Sequence, residues 1–152
     1  MYWTYELCHG KHIRQYHEER DGKLIKMQEY ILGTFNKEML DELITKHQAD
    51  VANGITRHPP TKRIEGVAMP YYEVTMTGGT KCDLTQLPRC PLTYLFFQNF
   101  NINLPFRKSR VLYVCYPKGK NEIYSFKEMS TCEYEIVVLS SLLCSHPRFV
   151  EI

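Results

Sequence analysis

Short runs of β-branched and aromatic residues, bounded by glycine, proline or asparagine, constrain this chain more than any other feature. They fall at residues 2–8, 23–35, 70–77, 110–116, 122–126 and 132–139, and segments of that length and composition suit pleated, half-buried strands. In the last run Tyr134, Ile136 and Val138 alternate with Glu133, Glu135 and Val137, which predicts a strand with one wetter face. One helix is expected. Asn36 caps it, Glu38 sits in its first turn, Met39, Leu40, Leu43, Ile44 and His47 follow helical spacing, and it ends before Asn53-Gly54. Residues 52–66, with Pro59-Pro60 and three basic side chains, read as a surface loop, and Thr77-Gly78-Gly79-Thr80 as a tight turn. At 152 residues the chain fits a single domain, residues 1–152, of mostly β structure.

Charge and cysteine usage exclude several classes of function. Lys and Arg number 19 against 17 Asp and Glu, with no like-charged run, so nucleic acid is not expected as a partner. The longest apolar candidate, residues 94–106, is interrupted by Gln98, Asn99, Asn101 and Asn103, so direct membrane insertion is not expected. Six cysteines and eleven tyrosines point to an oxidised, extracytoplasmic module. Residues 1–6 lack the basic start and apolar core of a secretory signal, which places the true start upstream if the protein is lumenal.

Cys8, His9, His12 and His17 crowd the N-terminus, yet neighbours on a strand point to opposite faces and no second half-site accompanies them. Neither metal nor other cofactor is expected. There is no nucleophile elbow, phosphate-binding loop or dinucleotide fingerprint, so the chain does not read as an enzyme; a hydrolase using His12 or His17 has no motif behind it.

A set of planar polar and aromatic residues lies near the cysteines: Trp3, Gln15, Tyr16, Arg89, Glu128 and Tyr134. Neutral sugars are bound by such sets, because a ring of hydroxyls needs amide, guanidinium and carboxylate partners while its C–H face packs on an aromatic ring. Composition alone does not select sugar binding over ordinary surface polarity, in which Gln15 and Glu128 are solvated and Tyr134 is core. The stretch Tyr-Trp-Thr-Tyr-Glu-Leu-Cys-His-Gly-Lys-His-Ile-Arg-Gln-Tyr-His at residues 2–17 adds sequence detail. It is followed in order by Gly78-Gly79-Thr80-Lys81-Cys82-Asp83 with Pro88-Arg89, residues 111–115, residues 128–134 and Leu143-Cys144-Ser145-His146-Pro147. In this order the motifs resemble the mannose 6-phosphate receptor homology (MRH) domains along nearly the whole chain.

The resemblance implies an all-β, P-type lectin-like fold: a flattened barrel of two antiparallel sheets packed across one another, here with one short helix. It implies a pocket for the 2-, 3- and 4-hydroxyls of mannose, built from Gln15, Arg89, Glu128 and Tyr134. Gln15 and Arg89 would flank the axial 2-hydroxyl, and Glu128 and Tyr134 would hold the 3- and 4-hydroxyls. Arg107 shares the family arginine's distance from Cys115, but Arg89 keeps the preceding proline and is preferred. Tyr2 and Trp3 stand where the family's quality-control lectins place aromatics against a second mannose. Disulfides Cys82–Cys132 and Cys115–Cys144 are implied, as is a missing upstream partner for Cys8, making the chain an N-terminally truncated MRH-like lectin domain. Neutral mannose is expected to be preferred over its 6-phosphate.

By the same resemblance the partners are high-mannose N-glycans of misfolded glycoproteins in the lumen of the endoplasmic reticulum, in quality control and ER-associated degradation, together with a membrane-bound degradation ligase complex. A sugar-blind interaction module of that machinery is the alternative. Residues 90–107, free of acids and carrying four phenylalanines, interrupt the family spacing. They read as an inserted loop whose removal, eighteen residues, restores that spacing; a retained intron, a gene-model error or a real isoform would each produce it.

Overall fold

The computed structural model describes residues 2–82 and 106–150. The order is β1 (Thr4–Cys8), β2 (His12–Asp21), β3 (Leu24–Phe35), α1 (Lys37–Ala52), β4 (Thr61–Ile64), β5 (Val67–Thr77), β6 (Lys108–Cys115), β7 (Lys120–Ser130) and β8 (Glu133–Ser140), then 3-10 turns Leu142–Ser145 and Pro147–Phe149. β1, β2 and β3 form an antiparallel meander. Its β3 is paired with β5 of the second layer, β5–β6–β8–β7, at Thr34 opposite Thr77 and Phe35 opposite Met76. The path bends at that corner. Its far ends close on one another, since Tyr5 of β1 stacks on Phe126 of β7 with ring centroids 4.1 Å apart. The result is the flattened barrel, with one parallel pair, β6 beside β8, inside its second layer.

Alternation along the strands fills the interior. Ile13, Leu32, Met76, Val111, Ile136 and Val138 are fully buried there and make one apolar cluster with Tyr134. Each such aliphatic side chain contributes about 1.5–3 kcal/mol by leaving water. Two disulfides, Cys82–Cys132 and Cys115–Cys144, tie the second layer, and Cys8 is a free thiol.

Several local expectations change. β2, rich in charged residues, is absent from the predicted runs; it is held in register by ten pairings to β3. Residues 61–64 are not loop but β4, hairpinned to β5. That hairpin also explains why β8 has no wet face. Glu135 is only 5% exposed, because Lys62 of β4 reaches it at 2.6 Å and Arg110 of β6 at 3.6 Å. Around it Tyr71, Leu112, Val114 and Val137 form a second apolar cluster on the outer face.

Residues 77–80 are a strap rather than a tight turn: Thr80 N–H donates to the Ile31 carbonyl, and Gly79 N–H to that of Arg107. Gly79 is required there, since a Cβ would stand 2.8 Å from the Arg107 carbonyl oxygen. Asn36 caps α1 as predicted, accepting from the N–H of Glu38 and Met39, but α1 buries none of its residues. Of the stretch 90–107, residues 90–105 lie outside the described residues. Phe106 pairs with Lys81, and Arg107 is bonded to Thr80.

Candidate functional site

Strand register places the polar candidates. On the first layer, Gln15 lies directly between Tyr5 on β1 and Tyr30 on β3, so the three side chains share one face. On the second layer Glu128 of β7 is paired with Tyr134 of β8. Arg107 precedes β6 and is gripped at its backbone: its N–H donates to Thr80 and its carbonyl accepts from Gly79.

The guanidinium of Arg107 is the hub. Its Nη1 donates to the Tyr134 hydroxyl at 2.9 Å and faces Cys132 Sγ at 3.1 Å, and its Cζ stands 4.8 Å from the centroid of the Tyr30 ring. Its Nε is buried and has no hydrogen-bond partner among the described residues. Glu128 is exposed, with Oε1 accepting the Cys132 N–H at 2.9 Å. Cys132 therefore braces both the cation and the carboxylate.

Burial pushes the Tyr134 hydroxyl above its usual pKa, with the Arg107 charge working against that and Glu128 adding to it. Burial, then the Glu128 charge, does the same to Tyr5. Both phenols stay protonated at neutral pH. Because Tyr134 accepts from Arg107, its own O–H is left to donate outward, and Glu128 Oε2 is left to accept.

An aromatic ledge leads away from this group. Trp3 meets Tyr30 edge-on at 5.7 Å, and Tyr2 lies edge-on to Trp3 at 5.0 Å while stacking on His17 at 3.6 Å. Arg107, Glu128 and Tyr134 are thus brought together, Gln15 is set on the facing layer, and Trp3 and Tyr2 lie along one approach. Arg89 lies outside the described residues. His9 bonds the Tyr113 hydroxyl and His12 lies 3.7 Å from Glu6, so these two histidines point to different places. Sequence reasoning passed over Tyr5, Tyr30 and Phe126. The alternation of Trp3, Tyr5 and Leu7 with Thr4 and Glu6 carried a signal for the first of them.

Comparison with known proteins fits this architecture. The glucosidase II beta subunit-like protein family matches residues 1–82. The chain belongs to that family. It is 46% identical to endoplasmic reticulum lectin 1 of Mus musculus over 149 residues, 97% of this chain and 27% of the relative. It is 30% identical to the OS-9 homolog of Arabidopsis thaliana over 148 residues, 97% of this chain and 40% of that one. The chain therefore spans about a quarter to two fifths of the length of these relatives. Its fold is that of the MRH domain of Yos9, solved in complex with alpha3,alpha6-Man5: TM-score 0.56, 20% identity, covering all of this chain and 77% of that one.

Proposed function

We propose that this domain is a lectin for mannose-terminated, high-mannose N-glycans, serving glycoprotein quality control in the lumen of the endoplasmic reticulum. The observation that carries the reading is the guanidinium of Arg107, laid on an aromatic ring and bonded to Tyr134, beside the Glu128 carboxylate that Cys132 holds. The Arg107 fork, the Tyr134 O–H and the Glu128 carboxylate together supply the donors and the acceptor that a ring of sugar hydroxyls needs. Arg107 and Gln15 would face the axial 2-hydroxyl that separates mannose from glucose; Tyr134 donates to, and Glu128 accepts from, the 3- and 4-hydroxyls. Trp3 and Tyr2 would carry a second sugar of the branch. The names of the relatives support the compartment, and the mannose ligand of the Yos9 domain supports the sugar class. A membrane-bound degradation ligase complex belongs to this reading as a protein partner.

Refolded protein on a glycan array provides the test. Mannose-terminated branches should be retained and glucose- or galactose-terminated ones not, and free mannose should compete better than mannose 6-phosphate. Absence of binding to every mannosylated glycan would sink the lectin reading in favour of a sugar-blind interaction module.

A further inference from the structure

We propose that the groove between α1 and the outer face of the β4–β5 hairpin is a second binding site, which takes a short acidic and apolar segment of a partner protein. The groove encloses about 660 Å³. Its walls are apolar yet open: Leu43 and Val51 on α1 are 53% and 64% exposed, and Ile55 after the helix is 46% exposed. The helix has the apolar spacing of a packed element, but none of its residues is buried. Large apolar side chains left in water forgo the gain of burial, so such a stripe fits a face that is covered in use.

Charge selects the occupant. Three fixed cations line the groove, Lys46, Arg57 and Arg148, against one carboxylate, Asp50. Asp50 is already engaged: Arg57 holds it by Nε at 2.7 Å and Nη2 at 3.4 Å, which keeps its carboxyl below the ordinary range. Arg148 is fixed from the other wall by donating Nη2 to the Arg57 carbonyl at 2.6 Å. Apolar walls with a surplus of cations match a segment alternating carboxylates with large apolar side chains. From Leu43 to Val51 the helix rises about 12 Å, the reach of roughly four extended residues.

The site is separate from the sugar pocket. It lies at the Pro70–Tyr71 end of β5, whereas Arg107 lies beyond the Met76–Ser109 end of the β5–β6 pair, about 17 Å along the strand. Glycan and peptide would therefore bind together, and the proposal stands whether or not the pocket takes mannose.

Fluorescence anisotropy on the full chain tests it with a labelled peptide of sequence Glu-Leu-Phe-Asp-Leu-Glu and a counterpart in which lysine replaces each acid. The acidic peptide should bind at least tenfold more tightly, weaken with added salt, and be undisturbed by saturating mannose. Lys46→Glu with Arg148→Glu should invert the preference. The milder Val51→Ser, at an exposed position that leaves the fold intact, should weaken the acidic peptide several-fold. Equal binding of the two peptides, no binding, displacement by mannose, or sedimentation showing the helix face buried in a dimer would each overturn the proposal.

Discussion

Among the described residues, Glu135 on the outer face of β8 and Arg107 ahead of β6 are both drawn in from the surface of this barrel, and the fold treats them in opposite ways. Glu135 is met by two cations, Lys62 and Arg110, and roofed by the β4–β5 hairpin. Arg107 is given a ring face, a hydroxyl and a sulfur, but no carboxylate contact among the described residues, and its Nε stays unpaired. An internally neutralised charge fastens strands together, whereas one left with open hydrogen-bonding capacity is kept for something that arrives from outside. On the proposed function, the contrast would separate an architectural ion cluster from the sugar site.

The sharpest way to break the contrast is Arg107→Ala. Losing the fork should weaken mannose binding by about a hundredfold, near 3 kcal/mol, while the folded β8 core persists. Arg89→Ala, measured beside it by calorimetry, should leave affinity unchanged; the reverse outcome would move the guanidinium of the site to Arg89.

Next in size is Lys62→Met. It leaves Glu135 with only the more distant Arg110, which Glu73 already engages. A loss of about 2 kcal/mol in urea unfolding is expected, with mannose affinity retained. Lost affinity at full folding would show that the two regions are coupled.

Tyr30 sharpens the other half. Tyr30→Phe keeps the ring under Arg107 and should bind normally, whereas Tyr30→Leu removes a cation–π contact of about 1 kcal/mol and should weaken binding around fivefold. Equal behaviour of the two variants would remove Tyr30 as a positioning residue.

The smallest effect concerns alkali. Tyr5 and Tyr134 hold their protons more tightly folded than unfolded, so the stability they contribute is fully present below about pH 10 and is lost as pH rises through their raised values. Tyr5→Phe should shallow the fall of melting temperature above pH 10; an unchanged slope would contradict the burial of that hydroxyl.

Much of this was legible along the chain because it is local. Asn36 announces the helix through a cap that involves only its next three residues, and Tyr134, Ile136 and Val138 announce an inward face by alternation. What escaped was non-local. Thr61-Lys62-Arg63-Ile64 has no apolar rhythm of its own and becomes β4 only because residues 67–70 fold back beside it. The dry environment of Glu135 follows from that same hairpin. Between Arg89 and Arg107 the sequence offers two equally local cues, a proline and a cysteine spacing, and Arg89 lies outside the described residues. Tyr134 and Tyr30 around Arg107 are contacts 27 and 77 residues away, which no short motif records.

The pairing of Lys81 with Phe106 puts the chain leaving Cys82 and the chain returning to Arg107 on opposite sides of one β-bridge, about 5 Å apart. A connection whose ends are pinned so closely pays for extra length only through closure entropy, about 0.6 kcal/mol for each doubling. The bonds from Gly79 and Thr80 to Arg107 lie on the barrel side of that bridge. Both ends of the 82–106 connection and the backbone seat of Arg107 thus lie side by side at the rim, and a variant lengthened, trimmed or given a reporter hairpin between them is expected to keep that seat.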